Sequence, residues 1–356
     1  MDAIVAHTKP SLDDREIAAV MGVLKSRLVN EGSLASQLVR SLVDIVGGYD
    51  GVPVSAGTLG LHLALKSLGV DDEKDEVIVP DFACRCLYDC VKTAGGTPIF
   101  CDINLDDISL NIDDVRLRAH ENTKAIVLPH MFGCPADLQD FLSLNIPLIE
   151  DCAHSAGAAY RGQKIGSFGD YSCFSFEGSK LLAAGEGGVV LSNNPQRFER
   201  LNNLRYGLND SPQYHYRLSD VVASIALAQL EKLPAMIAKR NSIAMTYMEE
   251  LRGLEIDGKI TLPHSFGDRD RTFYRFVVLC GEESSPLIEF SARKGVLIRK
   301  PLPSGCLSDH FGHNIKENKN SRLLSGNGAS LPIYPDLNDE EIRRVIEAIY
   351  SYYKRE

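Results

Sequence analysis

This 356-residue chain lacks a basic surplus, long apolar runs, C-x-x-C cysteine pairs and internal repeats. Its 38 Lys and Arg against 48 Asp and Glu give a formal charge of −10, which argues against a broad surface for nucleic acid or an anionic membrane. A local basic pocket for a phosphorylated small molecule is still allowed. No window approaches the roughly 20 apolar residues that a bilayer span needs. The opening Met1-Asp2-Ala3-Ile4-Val5-Ala6-His7 carries an acid and no secretory pattern, so the expectation is a cytoplasmic protein with neither nucleic acid nor membrane as partner. None of the nine cysteines forms a C-x-x-C pair, which fits neither a disulfide framework nor a zinc-finger pattern and points to reduced thiols. Cys84, Cys86 and Cys90 come nearest to a cluster, on a helix expected over residues 83–94. With no histidine nearby they read as small packing residues.

Hydrophobic residues make up 44%, enough for a full core. The chain also exceeds the length of about 250 residues at which single cores tend to split. Short apolar runs recur at Val77-Ile78-Val79, Pro98-Ile99-Phe100, Ala125-Ile126-Val127-Leu128, Pro147-Leu148-Ile149, Tyr171 to Phe176 and Val189-Val190-Leu191. Helical patterns lie between several of them, at 83–94, 112–119 and 136–143, and one at 195–203 follows the last. This alternation predicts an α/β fold with a mainly parallel sheet sandwiched by helices. The runs at Tyr171 and Val189 are close enough for one to be antiparallel.

Ser11-Leu12-Asp13-Asp14 reads as a capped helix start with Ser11 as acceptor, Leu38 to Val46 as a second helix, and Asn30-Glu31-Gly32-Ser33 as the turn between. Leu218-Ser219-Asp220 opens a long helix that continues past Pro234 to Leu251. The composition then changes: a strand at Phe273 to Leu279, a helix at Pro286 to Lys294, a strand at Val296 to Ile298, an irregular mobile loop from Pro301 to Ser330, and a last helix from Asp339 to Tyr353. The expected division is a large α/β domain over 1–240 and a small C-terminal α+β domain over 241–356.

Three stretches carry chemistry. Asp151 closes the run Pro147-Leu148-Ile149, placing a carboxylate at a strand's carboxyl end, where open α/β sheets bind ligands. Lys180 follows the run Tyr171 to Phe176 among small residues, where a lysine can lose its proton and act as a nucleophile. Gly57 and Thr58 begin a helix whose free N–H groups, dipole and hydroxyl suit a phosphate. Each has a plainer reading as a cap, a solvated charge or a turn. It is the order and spacing of Asp151, Lys180 and Gly185-Glu186-Gly187-Gly188 together that favour chemistry. Pyridoxal phosphate asks for an amine, an anion opposite its ring nitrogen, a phosphate cradle and contacts on its ring faces. Lys180, Asp151, Gly57-Thr58 with Ser175, and His154 can supply them.

The chain resembles the DegT/DnrJ/EryC1/StrS family of sugar aminotransferases, within the fold type I group of pyridoxal-phosphate enzymes. The matching segments include Ser55-Ala56-Gly57-Thr58, Val79-Pro80-Asp81-Phe82, Glu150-Asp151-Cys152-Ala153-His154, Gly166-Ser167-Phe168-Gly169-Asp170, Cys173-Phe174-Ser175-Phe176 through Ser179-Lys180, Gly185-Glu186-Gly187-Gly188, Tyr216-Arg217-Leu218-Ser219-Asp220 and Leu331-Pro332-Ile333-Tyr334-Pro335. The resemblance implies a seven-stranded-type sheet, with Lys180 holding the cofactor as an internal imine, Asp151 pairing with the ring nitrogen and His154 near the ring. It also implies that Gly57, Thr58 and Ser175 bind the phosphate in a homodimer whose partner chain completes each site. The implied reaction moves an amino group from glutamate to the keto group of a nucleotide-linked sugar or related keto-cyclitol, in glycan or secondary-metabolite biosynthesis. Alternatives are a pyridoxal-phosphate sugar dehydratase, whose branch typically carries histidine in place of Lys180, and a non-catalytic cofactor-binding regulator.

Departures from the family pattern fall at Cys84, in place of a stacking aromatic ring, and at His215, in place of a partner-chain asparagine that reaches the phosphate. A further departure is Leu181-Leu182-Ala183-Ala184, expected near substrate or the neighbouring chain. Arg85, Arg205, Arg299 and Lys300 are candidate anchors for a nucleotide diphosphate.

Overall fold

The computed structural model describes residues 4–313 and 315–354, so Met1-Asp2-Ala3 lie outside the described residues. Among these, the strands are β1 (Asp50–Val54), β2 (Glu76–Pro80), β3 (Thr97–Cys101), β4 (Thr123–Pro129), β5 (Leu148–Asp151), β6 (Ala159–Tyr160), β7 (Gln163–Lys164), β8 (Tyr171–Ser175), β9 (Gly188–Ser192), β10 (Ile260–Thr261), β11 (Arg269–Asp270), β12 (Phe276–Cys280) and β13 (Gly328–Leu331). Seven form the main sheet in the order β1-β9-β8-β5-β4-β2-β3. Pairing is parallel from β3 through β2, β4 and β5 to β8, and antiparallel at β8–β9 and β9–β1. The expected alternation of strands and helices is found, with Asp50–Val54 added as an edge strand.

The two-residue period of a strand explains how the sheet holds helices on both faces. Ile78, Ile126, Leu128, Phe174, Val189 and Leu191 pack to one side with Leu38 and Leu42 of the helix Ser33–Val46 and with Leu230 and Leu233 of the helix Asp220–Glu250. Their neighbours Val77, Val79, Ala125, Val127, Ile149 and Val190 pack to the other side with Leu61 and Leu65 of Gly57–Ser67 and Leu87 and Val91 of Cys86–Ala94. A separate core joins Ile243, Tyr247, Phe276, Val278, Leu331, Val345 and Ile349, and Val5 enters it from the other end of the chain. Its sheet runs β10-β12-β13, all antiparallel.

The helix Asp220–Glu250 starts at Ser219, whose Oγ accepts from Val222 N–H at 3.4 Å, and runs unbroken through Pro234. An 18-residue window reaches a mean hydropathy of 1.5, but half of that window is buried in the protein. Its polar residues are tied inward. Asp220 accepts from the N–H groups of Gly32, Leu34 and Ala35, and Lys232 pairs with Glu16 at 2.6 Å. This is a core helix with internal partners.

Four expectations change. The first helix is capped by Asp13, not Ser11: Asp13 accepts from Arg15 N–H at 2.9 Å and Glu16 reaches back to Asp13 N–H at 2.7 Å, while the Ser11 carbonyl is taken by Gln229 and Lys232. The helix expected over 83–94 begins at Cys86, because Phe82 bridges to Cys306 and the Ala83 carbonyl accepts from Ser304. Val296 to Ile298 makes one bridge to Val5 and no ladder. The segment Pro301 to Ser330, expected as an irregular mobile loop, holds the helices Leu307–His310 and Lys319–Asn327 and most of β13.

That last segment is ordered by carboxylates more than 200 positions away in sequence. Buried Asp81, just after β2, accepts from Ser308 N–H at 2.7 Å, Ser308 Oγ at 2.8 Å and Asn318 Nδ2 at 2.8 Å. Asp102, just after β3, accepts from Asn320 N–H, Ser321 N–H and Ser321 Oγ. Asp81→Ala should lower unfolding stability by about 2–4 kcal/mol, since each buried donor left unpaired costs about 1–3 kcal/mol. It should also open residues 306–327 to limited proteolysis. An unchanged urea midpoint with no new cleavage would contradict this account of the segment.

Candidate active site

Two adjacent acids end β5 and point to opposite sides, as strand alternation requires. Glu150 is fully buried. Its Oε1 accepts from Phe168 N–H at 2.8 Å and Gly169 N–H at 2.7 Å, and its Oε2 from Gly166 N–H at 2.9 Å and His130 Nε2 at 3.1 Å. Cys152 lies within metal-binding reach of His130 and Glu150, but all four contacts to the carboxylate are already donors, so the cluster is a polar lock. Asp151 faces the other way, with Oδ1 accepting from Ala153 N–H at 3.1 Å.

Lys180 rides on a loop between β8 and β9 that closes on itself. Phe176 N–H donates to Gly187 O, Gly178 N–H to Gly185 O, and Ala184 N–H to Phe176 O. Gly187 supplies φ +119°, and a side chain there would meet Leu218 at 2.8 Å. Leu181 to Ala184, expected near substrate or the neighbouring chain, are buried, and Leu181, Leu182 and Ala184 join the chain's own core. They pin the loop from below.

Gly57 and Thr58 open the helix Gly57–Ser67, whose N-cap, Ala56, has no side chain to satisfy the first N–H groups. A Cβ on Gly57 would stand 2.7 Å from Ser175 Cβ and 3.1 Å from its Oγ, so only glycine lets the helix start approach β8 this closely. The result is one cavity of about 370 Å³ lined by Gly57, Thr58, Cys84, Asp151, Ser175 and Lys180 together. Four larger clefts, of about 730, 740, 400 and 380 Å³, contain none of the expected residues.

His154 lies behind this cavity between two rings, 4.3 Å from Tyr274 and 5.9 Å from Phe132 by centroids. His215 is exposed in an irregular segment and lines no part of the cavity. The candidate anchors disperse. Arg205 is a buried structural cation, bonded to Glu31 at 2.5 Å and Pro53 O at 3.0 Å. Lys300 caps the carbonyls of Ser325 and Gly326. Arg85 pairs with Asp89 at 3.1 Å and Arg299 is exposed.

The electrostatics are coupled. Burial pushes the Asp151 carboxyl up, offset in part by Ala153 N–H, Lys180 and His130. For Lys180, burial works against the charge, but Tyr274 and Asp151 outweigh it and hold the ammonium above its ordinary value. Burial, then Lys180 and Arg275, push His154 well down, so its imidazole is neutral. Its Nδ1 accepts from Phe132 N–H at 3.5 Å, which leaves the proton on Nε2.

Tyr274 is the participant that motifs did not indicate. Lys180 Nζ lies 5.3 Å from its ring centroid, and its hydroxyl is 3.1 Å from Ser179 Oγ. Burial would raise the phenol, yet Lys180, Arg275 and Ser179 together hold it below its ordinary value. Its only mark in the sequence is an aromatic beside arginine in the run Phe273 to Leu279, whose strand starts only at Phe276. Cys86, Glu177 and Glu186 also line the cavity.

The DegT/DnrJ/EryC1/StrS aminotransferase family model matches residues 10–350. GDP-perosamine synthase from Escherichia coli O157:H7 is 29% identical over 360 residues, covering 97% of both chains. DesV of S. venezuelae, solved in complex with a ketimine intermediate, superposes with a TM-score of 0.91 at 27% identity over 100% of both chains. The aminotransferase TlmJ from Streptoalloteichus hindustanus gives 0.91 at 25% identity over 99% of both. With the family model matching nearly the full length, the chain belongs to the DegT/DnrJ/EryC1/StrS aminotransferase family.

Proposed function

We propose that this aminotransferase uses pyridoxal phosphate to move an amino group from glutamate to the keto group of a nucleotide-linked sugar or related keto-cyclitol. The observation that carries the reading is that one cavity joins an amine, a buried acid and a helix N-terminus. The donor set fits the cofactor: the Gly57 contact with Ser175 forms a cradle that a Cβ would fill, and Asp151 is an acid whose burial favours a cation beside it.

When bound, pyridoxal phosphate supplies an electrophilic carbon and an electron-accepting ring. Gly57 and Thr58 N–H groups, the Thr58 hydroxyl and Ser175 Oγ would hold its phosphate. Asp151 would keep the ring nitrogen protonated, His154 Nε2–H would donate toward the ring's hydroxyl, and Cys84 would stand beside the ring. Engaging Asp151 in this way neutralises one of the charges that hold Lys180 protonated. The Lys180 amine would then be available to hold the cofactor and to carry a proton to and from the substrate carbon bearing nitrogen.

We further propose that residues 1–240 and 241–356 act as large and small domains. In this reading the chain works as a cytoplasmic homodimer in which His215 of each chain serves the site of the other. The exposed run of Ile17, Met21, Leu24 and Leu28 along the first helix and its exit supports an interface there.

Adding L-glutamate to purified protein should convert a yellow bound chromophore to the amine form of the cofactor. A protein that binds no chromophore would end this reading. Lys180→Ala should lose borohydride-fixable cofactor and at least about 1,000-fold of the glutamate half-reaction rate. A variant that still turned over at the normal rate would remove the lysine from its role. Asp151→Asn should retain the fixable link but slow the half-reaction by about 100- to 1,000-fold, followed by stopped-flow absorbance. Gly57→Ala should weaken cofactor binding by about tenfold or more, read by equilibrium titration.

A further inference from the structure

Cys84 and Cys86 line the same cavity as Lys180 and Asp151. Cys84 is exposed and Cys86 partly so, whereas the other seven cysteines are buried. The pair flanks the start of the nine-residue helix Cys86–Ala94, where Leu87 N–H donates to the Cys84 carbonyl at 3.1 Å. Only Arg85, the helix N-cap, separates the two cysteines, and both stand on the cavity wall. Lys180 and Asp151 face Cys84, while Asp151 and Cys90 face Cys86.

We propose that Cys84 and Cys86 form a modification site, a dithiol oxidised by peroxides, whose oxidation closes the cavity to pyridoxal phosphate. The closing half rests on the cofactor reading above; the dithiol half does not. A reactive cysteine needs an accessible sulfur and a cationic surrounding, and Cys84 has both. Hydrogen bonding from Cys86, against loss of water around the sulfur, and then the charge on Lys180 hold its thiol down to about 6. Cys86 is pushed well up by the same hydrogen bond and by burial, so it keeps its proton. One sulfur is thus the nucleophile and the other the resolving thiol.

The Cys84 thiolate attacks one oxygen of hydrogen peroxide, the O–O bond breaks, and hydroxide leaves. Cys86 sulfur then attacks the Cys84 sulfenic acid, the S–S bond forms, the S–O bond breaks, and the hydroxyl departs with the Cys86 proton as water. Two thiols are oxidised and one peroxide is reduced to two waters. The new bond draws the Cys84 wall toward the helix start in a cavity of only about 370 Å³.

Arg85 lies between the two cysteines, so trypsin separates residues 75–85 from 86–92 unless a disulfide joins them. After hydrogen peroxide, mass spectrometry of the full chain should find these peptides linked. The link should be absent in Cys84→Ser and Cys86→Ser and present in Cys90→Ser, and dimedone should label Cys84 in Cys86→Ser. Pyridoxal phosphate uptake should weaken by about tenfold or more after oxidation and return with dithiothreitol. Prior saturation with the cofactor should slow linkage by a similar factor.

Peptides that stay separate would overturn the dithiol, and linked peptides with unchanged uptake would overturn the closing of the cavity. A reduced protein that takes up no cofactor would end the proposed function and the closing half. The linked peptides would still decide the dithiol.

Discussion

The Glu150 carboxylate, sealed from water and surrounded by four N–H donors, fixes the centre of this protein. A hydrogen bond to a charged acceptor contributes about 1.5–3 kcal/mol, and these four tie the end of β5 to β4's exit at His130 and to the turn that starts β8. Two consequences meet in the cavity. Asp151 must turn its carboxyl to the opposite side of the strand, and β8 must run in the register that delivers Ser175 to Gly57 and sends the following loop out with Lys180. The acid and the amine thus owe their relative positions to a side chain that lies outside the cavity.

The pair so positioned is electrostatically unfinished. Burial disfavours the Asp151 charge while Asp151 and Tyr274 favour the Lys180 charge, so each group depends on the other's state. A cation placed against Asp151 relieves its burial and loosens the hold on the Lys180 proton. Tyr274 extends this coupling to the second core, because it precedes β12 and stacks on His154, while Arg240 from the long helix donates to its carbonyl at 3.2 Å. The proton on the amine is therefore sensitive to how the two cores sit against each other.

Much of this was legible in the sequence. Apolar runs gave six of the seven strands of the main sheet, all but the edge strand β1, and the long helix from Asp220 was read through its internal proline. Gly57, Thr58, Asp151, Ser175 and Lys180, far apart in the chain, do share one cavity. What escaped had non-local causes. The order between Pro301 and Ser330 comes from Asp81 and Asp102, which look like ordinary turn acids in their own neighbourhood. Arg205 read as a candidate diphosphate anchor because its partner Glu31 is distant in sequence. Tyr274 is marked only as an aromatic beside arginine, and Leu181 to Ala184, expected near substrate or the neighbouring chain, are buried within the chain itself.

The contact between Gly57 and Ser175 bears on how such a cavity can diverge. Gly188 lies in the same crowded corner, where a Cβ would stand 2.5 Å from Phe174 O and 3.2 Å from Gly57 Cα. Backbone meets backbone there, and no change of side chain can be absorbed without moving the sheet. Elsewhere in the lining the wall opens at Cys84, which is exposed. Mutational freedom is therefore uneven across a few ångströms: the end with Gly57 and Gly188 is frozen by geometry, and new specificity has to be written on the open wall.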